Sequence, residues 1–177
     1  MANNLFVEVE SFIKSERYGW CTVERAQALA AAVVTLRPSI SIIVGIWSGR
    51  DMLSMALAHK SIGKGKVIGI DPWFAKVSVQ GQIGDHITFW GNQVNHEEAY
   101  KEFMLNRNHL GLTDHAEAFR MPSDEFNPMD AGIIVIDGNH GPQAAIDAER
   151  YAPKVLMGGL LYLDDRQRPR ASPSYSL

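Results

Sequence analysis

Four short stretches of the chain are apolar without alternation: ISIIVGI at 40–46, KVIGI at 66–70, IIVI at 133–136 and LLYL at 160–163. Runs of this length, rich in β-branched residues, predict strands covered on both faces. Helical spacing fills the intervals. The pattern predicts helices over 5–13, 23–36, 49–59, 97–109 and 142–156. Thr22 is placed to cap the second, and Arg37-Pro38 ends it, because a residue before proline is biased away from helix. Pro142 opens the last helix at its first turn and Gly158-Gly159 closes it. Residues 115–120 read as a weaker strand, and 74–92 as a loop or short lid over one sheet edge. Strand alternating with helix, with continuous apolar strands, indicates an α/β fold: a Rossmann-like, doubly wound, mostly parallel sheet.

Three of these runs stop at acids: KVIGI at Asp71, IIVI at Asp137, and LLYL at Asp164-Asp165. Open parallel sheets bind ligands beyond the carboxyl ends of their strands, so these acids are expected to share one rim. The turn IVGIWSGRD joins them there. Gly45 and Gly49 would let backbone approach a ligand, and Asp51 could cap the following helix. Asp71 suits the two hydroxyls of a ribose, although a plain turn acid before Pro72 is the simpler alternative. Asp137, Asp164 and Asp165 would repel one another unless a cation intervened. Oxygen donors in that number suit Mg²⁺, with Ca²⁺ or Mn²⁺ as substitutes, against the alternative that two of them are solvated caps. His140, three residues past Asp137, has the unperturbed pKa of a general base near neutrality, and equally could be solvated. Trp47 and Trp73 could line a nucleoside pocket or simply pack. Ser123 is a candidate contact for an adenine edge.

Composition narrows the field. The 177 residues fit a single unit over 1–165, followed by a polar, proline-containing stretch, 166–177, expected to be disordered. A net charge of −3 offers no basic footprint for nucleic acid. Cys21 is the only cysteine, which excludes an intramolecular disulfide and suits a reducing compartment. The acidic start lacks the pattern of a secretory leader, and every apolar run falls far short of the ~20 residues that span a bilayer. A cytoplasmic protein without membrane partners is expected.

Taken together, IIVGIWSGRDMLSMALA, KVIGIDPW and VIDGNHGPQAAIDAERYAPKVLMGGLLYLDD resemble class I S-adenosylmethionine-dependent methyltransferases. The last segment is similar to the branch containing the macrocin and mycinamicin sugar O-methyltransferases and the cephalosporin-hydroxylase-like proteins. The resemblance spans roughly residues 22–165. It implies S-adenosylmethionine bound by Gly45, Gly49 and Asp71, a divalent metal held by Asp137, Asp164 and Asp165, and His140 as base. The acceptor would be a small hydroxylated molecule, whose hydroxyl a bound cation would orient and acidify. The chain departs from the family at Ile43, where an acid usually helps hold the methionine end. It also stops before the two further strands of the usual fold, so either the chain is truncated or a partner covers the sheet edge, and a homodimer or a weakly stable protein is expected. A catalytically degenerate binding module is the competing reading, and a dinucleotide-binding oxidoreductase domain a weaker one.

Overall fold

In the computed structural model, residues 2–16, 19–81, 84–139 and 141–164 are described. The strands β1 (Ile40–Val44), β2 (Lys66–Ile70), β3 (Ala116–Phe119), β4 (Ala131–Ile136) and β5 (Val155–Leu163) form one sheet in the order β3-β2-β1-β4-β5. Every neighbouring pair runs parallel. From β1 the chain moves outward through β2 and β3, then returns to the far side of β1 for β4. The order therefore reverses between β1 and β4, where ligands of open α/β sheets bind.

Both faces of the sheet are covered, as the unalternating strands require. Ile43, Val67, Ile133 and Val135 point into a core built with α1 (Ala2–Ser15), α2 (Val23–Leu36) and α3 (Arg50–Ser61), among Val9, Leu29, Val33, Met52 and Leu57. On the other face, Ile42, Val44, Ile68, Ile134 and Ile136 pack with Phe126 and with Tyr151 of α7 (Pro142–Tyr151). Thr22 caps α2 by accepting the Arg25 N–H at 3.2 Å, and Asn95 caps α6 (His96–His109) by accepting that of Glu98 at 3.0 Å.

Register sets the functional rim. Phe119, Ile70, Val44, Ile136 and Leu163 are successive partners across the sheet. Hydrogen bonding continues one residue further: Asp71 N–H reaches Phe119 O, Gly45 N–H Ile70 O, Asp137 N–H Val44 O, and Asp164 N–H Ile136 O, all at 2.8–3.1 Å. Asp71, Gly45, Asp137 and Asp164 consequently stand in one row, one residue beyond the strands.

Two expectations need correction. The last helix ends at Tyr151, well short of 156. Pro153 has no N–H for a continuing helix, so the chain tightens into a 3-10 turn, Ala152–Lys154, and β5 begins at Val155. Gly158-Gly159 therefore lies inside β5 and closes no helix; the β4–β5 register shifts beside it, between Ala131 and Ile133. The supposed loop over 74–92 carries short helical pieces: α4 (Ala75–Ser78), α5 (Asp85–Thr88) and a π-turn, Phe89–Gln93. Among the described residues no helix is long and apolar enough to cross a membrane. The stretch 166–177 lies outside the described residues, as do Asp165 and His140.

Candidate functional site at the strand ends

A cleft of about 260 Å³ opens over this row, with Gly45, Asp71, Asp137 and Asp164 in its lining. Gly45 adopts φ +89°, and a Cβ there would sit 2.1 Å from the Asp137 carbonyl oxygen. Its first task is thus to let β1 pass against β4 at the point where the two diverge. Gly49, at φ +95°, is required by packing: a Cβ would lie 2.6 Å from the Phe103 ring, and the residue is not in the cleft lining.

Asp71 organises one corner through backbone. Its Oδ2 accepts the N–H groups of Ile46 at 2.8 Å and Trp47 at 2.9 Å, and its Oδ1 that of Trp73 at 2.7 Å. Trp47 and Trp73 both hold left-handed backbone, φ +52° and +41°. Side chains other than glycine rarely adopt it, and here the three amide bonds to one carboxylate sustain it. Burial pushes the Asp71 carboxyl above its ordinary range while the three N–H donors pull it back. A carboxylate has about four acceptor directions, and these three bonds use three of them.

The two tryptophans diverge in role. Trp73 takes the packing alternative: it is 2% exposed, packs against Tyr100 and Phe103, and donates its indole N–H to Trp47 O at 2.8 Å. It is absent from the lining of this cleft. Trp47 does line the cleft, with its ring against Trp20, Trp90 and His96 and a buried indole N–H that has no partner among the described residues. Ser123, at the opposite wall, donates to Asp147 at 2.7 Å. Its carbonyl accepts from Arg150 and from the Tyr151 hydroxyl, which pins this loop to α7.

The second corner is held by a side chain that the hydrophobic pattern gave no reason to single out. Arg25, on α2, reaches Asp137 Oδ2 at 2.5 Å and Asp51 Oδ2 at 2.6 Å through Nη2, and Asp164 Oδ1 at 3.0 Å through Nη1. The Tyr162 ring lies 5.0 Å from the guanidinium carbon. Asp51 does not cap α3, whose N-cap position is Gly49 with no side-chain cap bond; Asp51 is buried in the first turn. Burial pushes the Asp137 carboxyl up to about 8, Arg25 pulls it down, and the neighbouring Asp164 and Asp51 push it up again. Burial likewise raises Asp51. Burial works against the charge on Arg25, yet Asp51, Asp137 and Asp164 hold its pKa above the ordinary value.

The expected metal site does not fit this arrangement. Asp137 and Asp164 do converge, but the oxygens that face each other are bonded to one guanidinium. Among the described residues no group of three histidine, cysteine, aspartate or glutamate side chains could hold a metal ion. Among the described residues the cation that meets Asp137 and Asp164 is the Arg25 guanidinium, from α2; Asp165, the third expected ligand, lies outside them. No spacing in the sequence links residue 25 to residues 51, 137 and 164.

A Rossmann-like sheet with a cleft at its switch point, bordered by a glycine turn and a carboxylate at the end of the second strand, defines the class as an open α/β protein whose ligand cleft lies at the strand ends. A sequence profile described as a methyltransferase domain matches residues 42–166, and the chain belongs to that family. No curated protein sequence matches it significantly. Solved structures share the fold. The O-methyltransferase NovP is 16% identical, with a TM-score of 0.63, over 93% of this chain and 82% of its own. The SAH-bound methyltransferase PaMTH1 of Podospora anserina is 12% identical, with a TM-score of 0.55, over 91% and 62%. An O-methyltransferase of Bacillus cereus, in complex with SAH, is 12% identical with a TM-score of 0.53, over 88% and 61%. The chain thus spans less than two thirds of the length of the latter two.

Proposed function

We propose that this chain is an S-adenosylmethionine-dependent methyltransferase that methylates a hydroxyl oxygen of a small molecule. The observation that carries this reading is the row Asp71, Gly45, Asp137 at a switch-point cleft, in a chain of the methyltransferase-domain family. In this reading the remaining acceptor direction of Asp71 takes a ribose hydroxyl, and Ser123 lies where the base would end. Gly45 and Trp47 bound the path of the methionine portion. The acceptor oxygen attacks the sulfonium methyl; the O–C bond forms as the C–S bond breaks, and the sulfur leaves as a neutral thioether. Asp137 is the carboxylate placed to receive the hydroxyl proton, with His140 the competing base. Magnesium stays outside this mechanism, because Arg25 stands among the carboxylates that would hold it. That the neighbours NovP and the Bacillus cereus protein are named O-methyltransferases supports oxygen as the acceptor atom.

The same reading carries the expectation of a dimer. The β5 edge exposes Leu156 and Met157, and light scattering on the purified chain tests whether it pairs.

The cofactor claim is tested by calorimetry with S-adenosylhomocysteine on the wild type and on Asp71→Ala. Binding by the wild type that the variant loses is expected; a folded wild type that gives no heat ends the proposal. A degenerate binding module is favoured by one feature: Ile43, at the position usually acidic in the resemblance, is fully buried in the helix-facing core. It predicts binding of the cofactor without methyl transfer to any of a panel of hydroxylated acceptors. Membership of the methyltransferase-domain family speaks against the dinucleotide-oxidoreductase alternative.

A further inference from the structure

We propose that the Arg25 guanidinium is the resident cation of the acidic corner, a positioning residue that gathers Asp137 and Asp164 in place of a divalent ion. The role this gives Asp137 rests on the methyltransferase reading; the assignment of the cation rests on the geometry alone.

The three carboxylates come from three places in the fold: Asp51 from the first turn of α3, Asp137 from the end of β4, Asp164 from the end of β5. A guanidinium is the side chain suited to such a set, since its N–H donors form a rigid planar fork that can serve several carboxylates at once. Nη2 bridges Asp51 and Asp137 at 2.6 and 2.5 Å while Nη1 serves Asp164 at 3.0 Å. A magnesium ion would need Asp137 and Asp164 oxygens at about 2.1 Å, in near-octahedral order, where one oxygen of each is already bonded to Arg25. It would also lie beside a fixed positive charge in a partly desolvated corner, where repulsion is only weakly screened. Asp51 makes the arrangement directional. It stands outside the row of strand ends, and its pairing with Nη2 draws the guanidinium to the α3 side of that row.

Arg25 also has the support of a built-in element. Its helix is capped at Thr22, whose side chain binds the Arg25 N–H itself, and the Tyr162 ring flanks the guanidinium. The side chain is therefore held from both its ends. Its function in this reading is to fix the Asp137 carboxylate at the cleft, whose lining both residues share.

The test reads metal binding directly. The purified full chain, stripped with EDTA, is titrated with Mn²⁺ while paramagnetic resonance follows the free ion. The wild type is expected to leave Mn²⁺ free up to about 1 mM. Arg25→Gln is expected to take up one Mn²⁺ at least about tenfold more tightly, and to lose that gain when Asp137→Asn is added. Stoichiometric binding by the wild type that Asp137→Asn removes would overturn the proposal. So would an Arg25→Gln variant that binds no better than the wild type. If that variant does not fold, the wild-type titration decides alone, joined by melting curves that EDTA or Mn²⁺ should leave unmoved. Calorimetry with S-adenosylhomocysteine in the same buffer keeps the two ideas separate: its failure strikes the methyltransferase reading and leaves the cation result standing.

Discussion

Two carboxylates, Asp71 and Asp137, flank Gly45 in the same row of strand ends, and the fold holds them by opposite means. Asp71 is gripped by three backbone N–H groups, neutral dipoles whose position is set by the chain path. Asp137 is gripped by a guanidinium that it shares with Asp51 and Asp164. The first corner cannot change without the β1 and β2 turns changing with it. The second depends on charge balance among side chains, so it can lose or exchange a member. In the proposed function the Asp71 corner would be the nucleoside subsite, which needs constant shape, and the Asp137 corner the reacting one, which needs charge that can move.

The strongest way to break the comparison acts on the residue between the corners. Gly45→Ala places a Cβ 2.1 Å from Asp137 O at φ +89°, and a loss of about 4 kcal/mol or an insoluble chain is expected in urea denaturation. A folded Gly45→Ala with wild-type stability would mean that β1 and β4 do not approach as described. Next comes Asp71→Ala, which strands three buried N–H groups; about 3 kcal/mol should be lost, together with binding of S-adenosylhomocysteine. Asp51→Asn should cost less than about 1 kcal/mol, because it relieves carboxylate crowding while Arg25 keeps two partners. If chemical denaturation ranks Asp51→Asn above Asp71→Ala, the contrast between the corners is wrong.

The smallest effect lies away from both corners, at Glu16, beside Arg50 and Asn106. Burial, with Glu102 nearby, pushes its carboxyl from 4.5 up to about 7. A raised acid contributes its stability at low pH and loses it as pH climbs through the folded value. Glu16 should therefore make melting decline between about pH 4.5 and 7, Asp137 extending the decline toward pH 8, and Glu16→Gln should reduce the slope in the lower part of that range, gaining about 2 °C near pH 7. An identical pH profile in the variant would remove Glu16 from the account.

Much of the rim could be read from local pattern. A continuous apolar run specifies a strand buried on both faces, and in a parallel sheet the residue after such a strand is delivered to the carboxyl edge whatever its neighbours are. Asp71 and Asp137 follow from that rule, as does Gly45 beside them. Boundaries failed where one residue overrode a pattern: Pro153 stopped a helix whose apolar spacing ran on, which moved the start of β5 to Val155 and put Gly158-Gly159 within it. Trp73 was ambiguous because an aromatic after a strand-ending acid can face ligand or core. Only the packing of Tyr100 and Phe103 sends it inward.

The sequence by itself determined the order of strands and helices, the buried parallel sheet and the arrival of acids at its edge. Each of these depends on residues a few positions apart. Tertiary structure alone decided which cation meets the acids, since Arg25 and Asp137 lie 112 positions apart and are joined only by the docking of α2 near the ends of β4 and β5. Coulomb attraction acts through space and leaves no periodicity along the chain, so a charge requirement could be inferred from the acids while its answer on α2 could not.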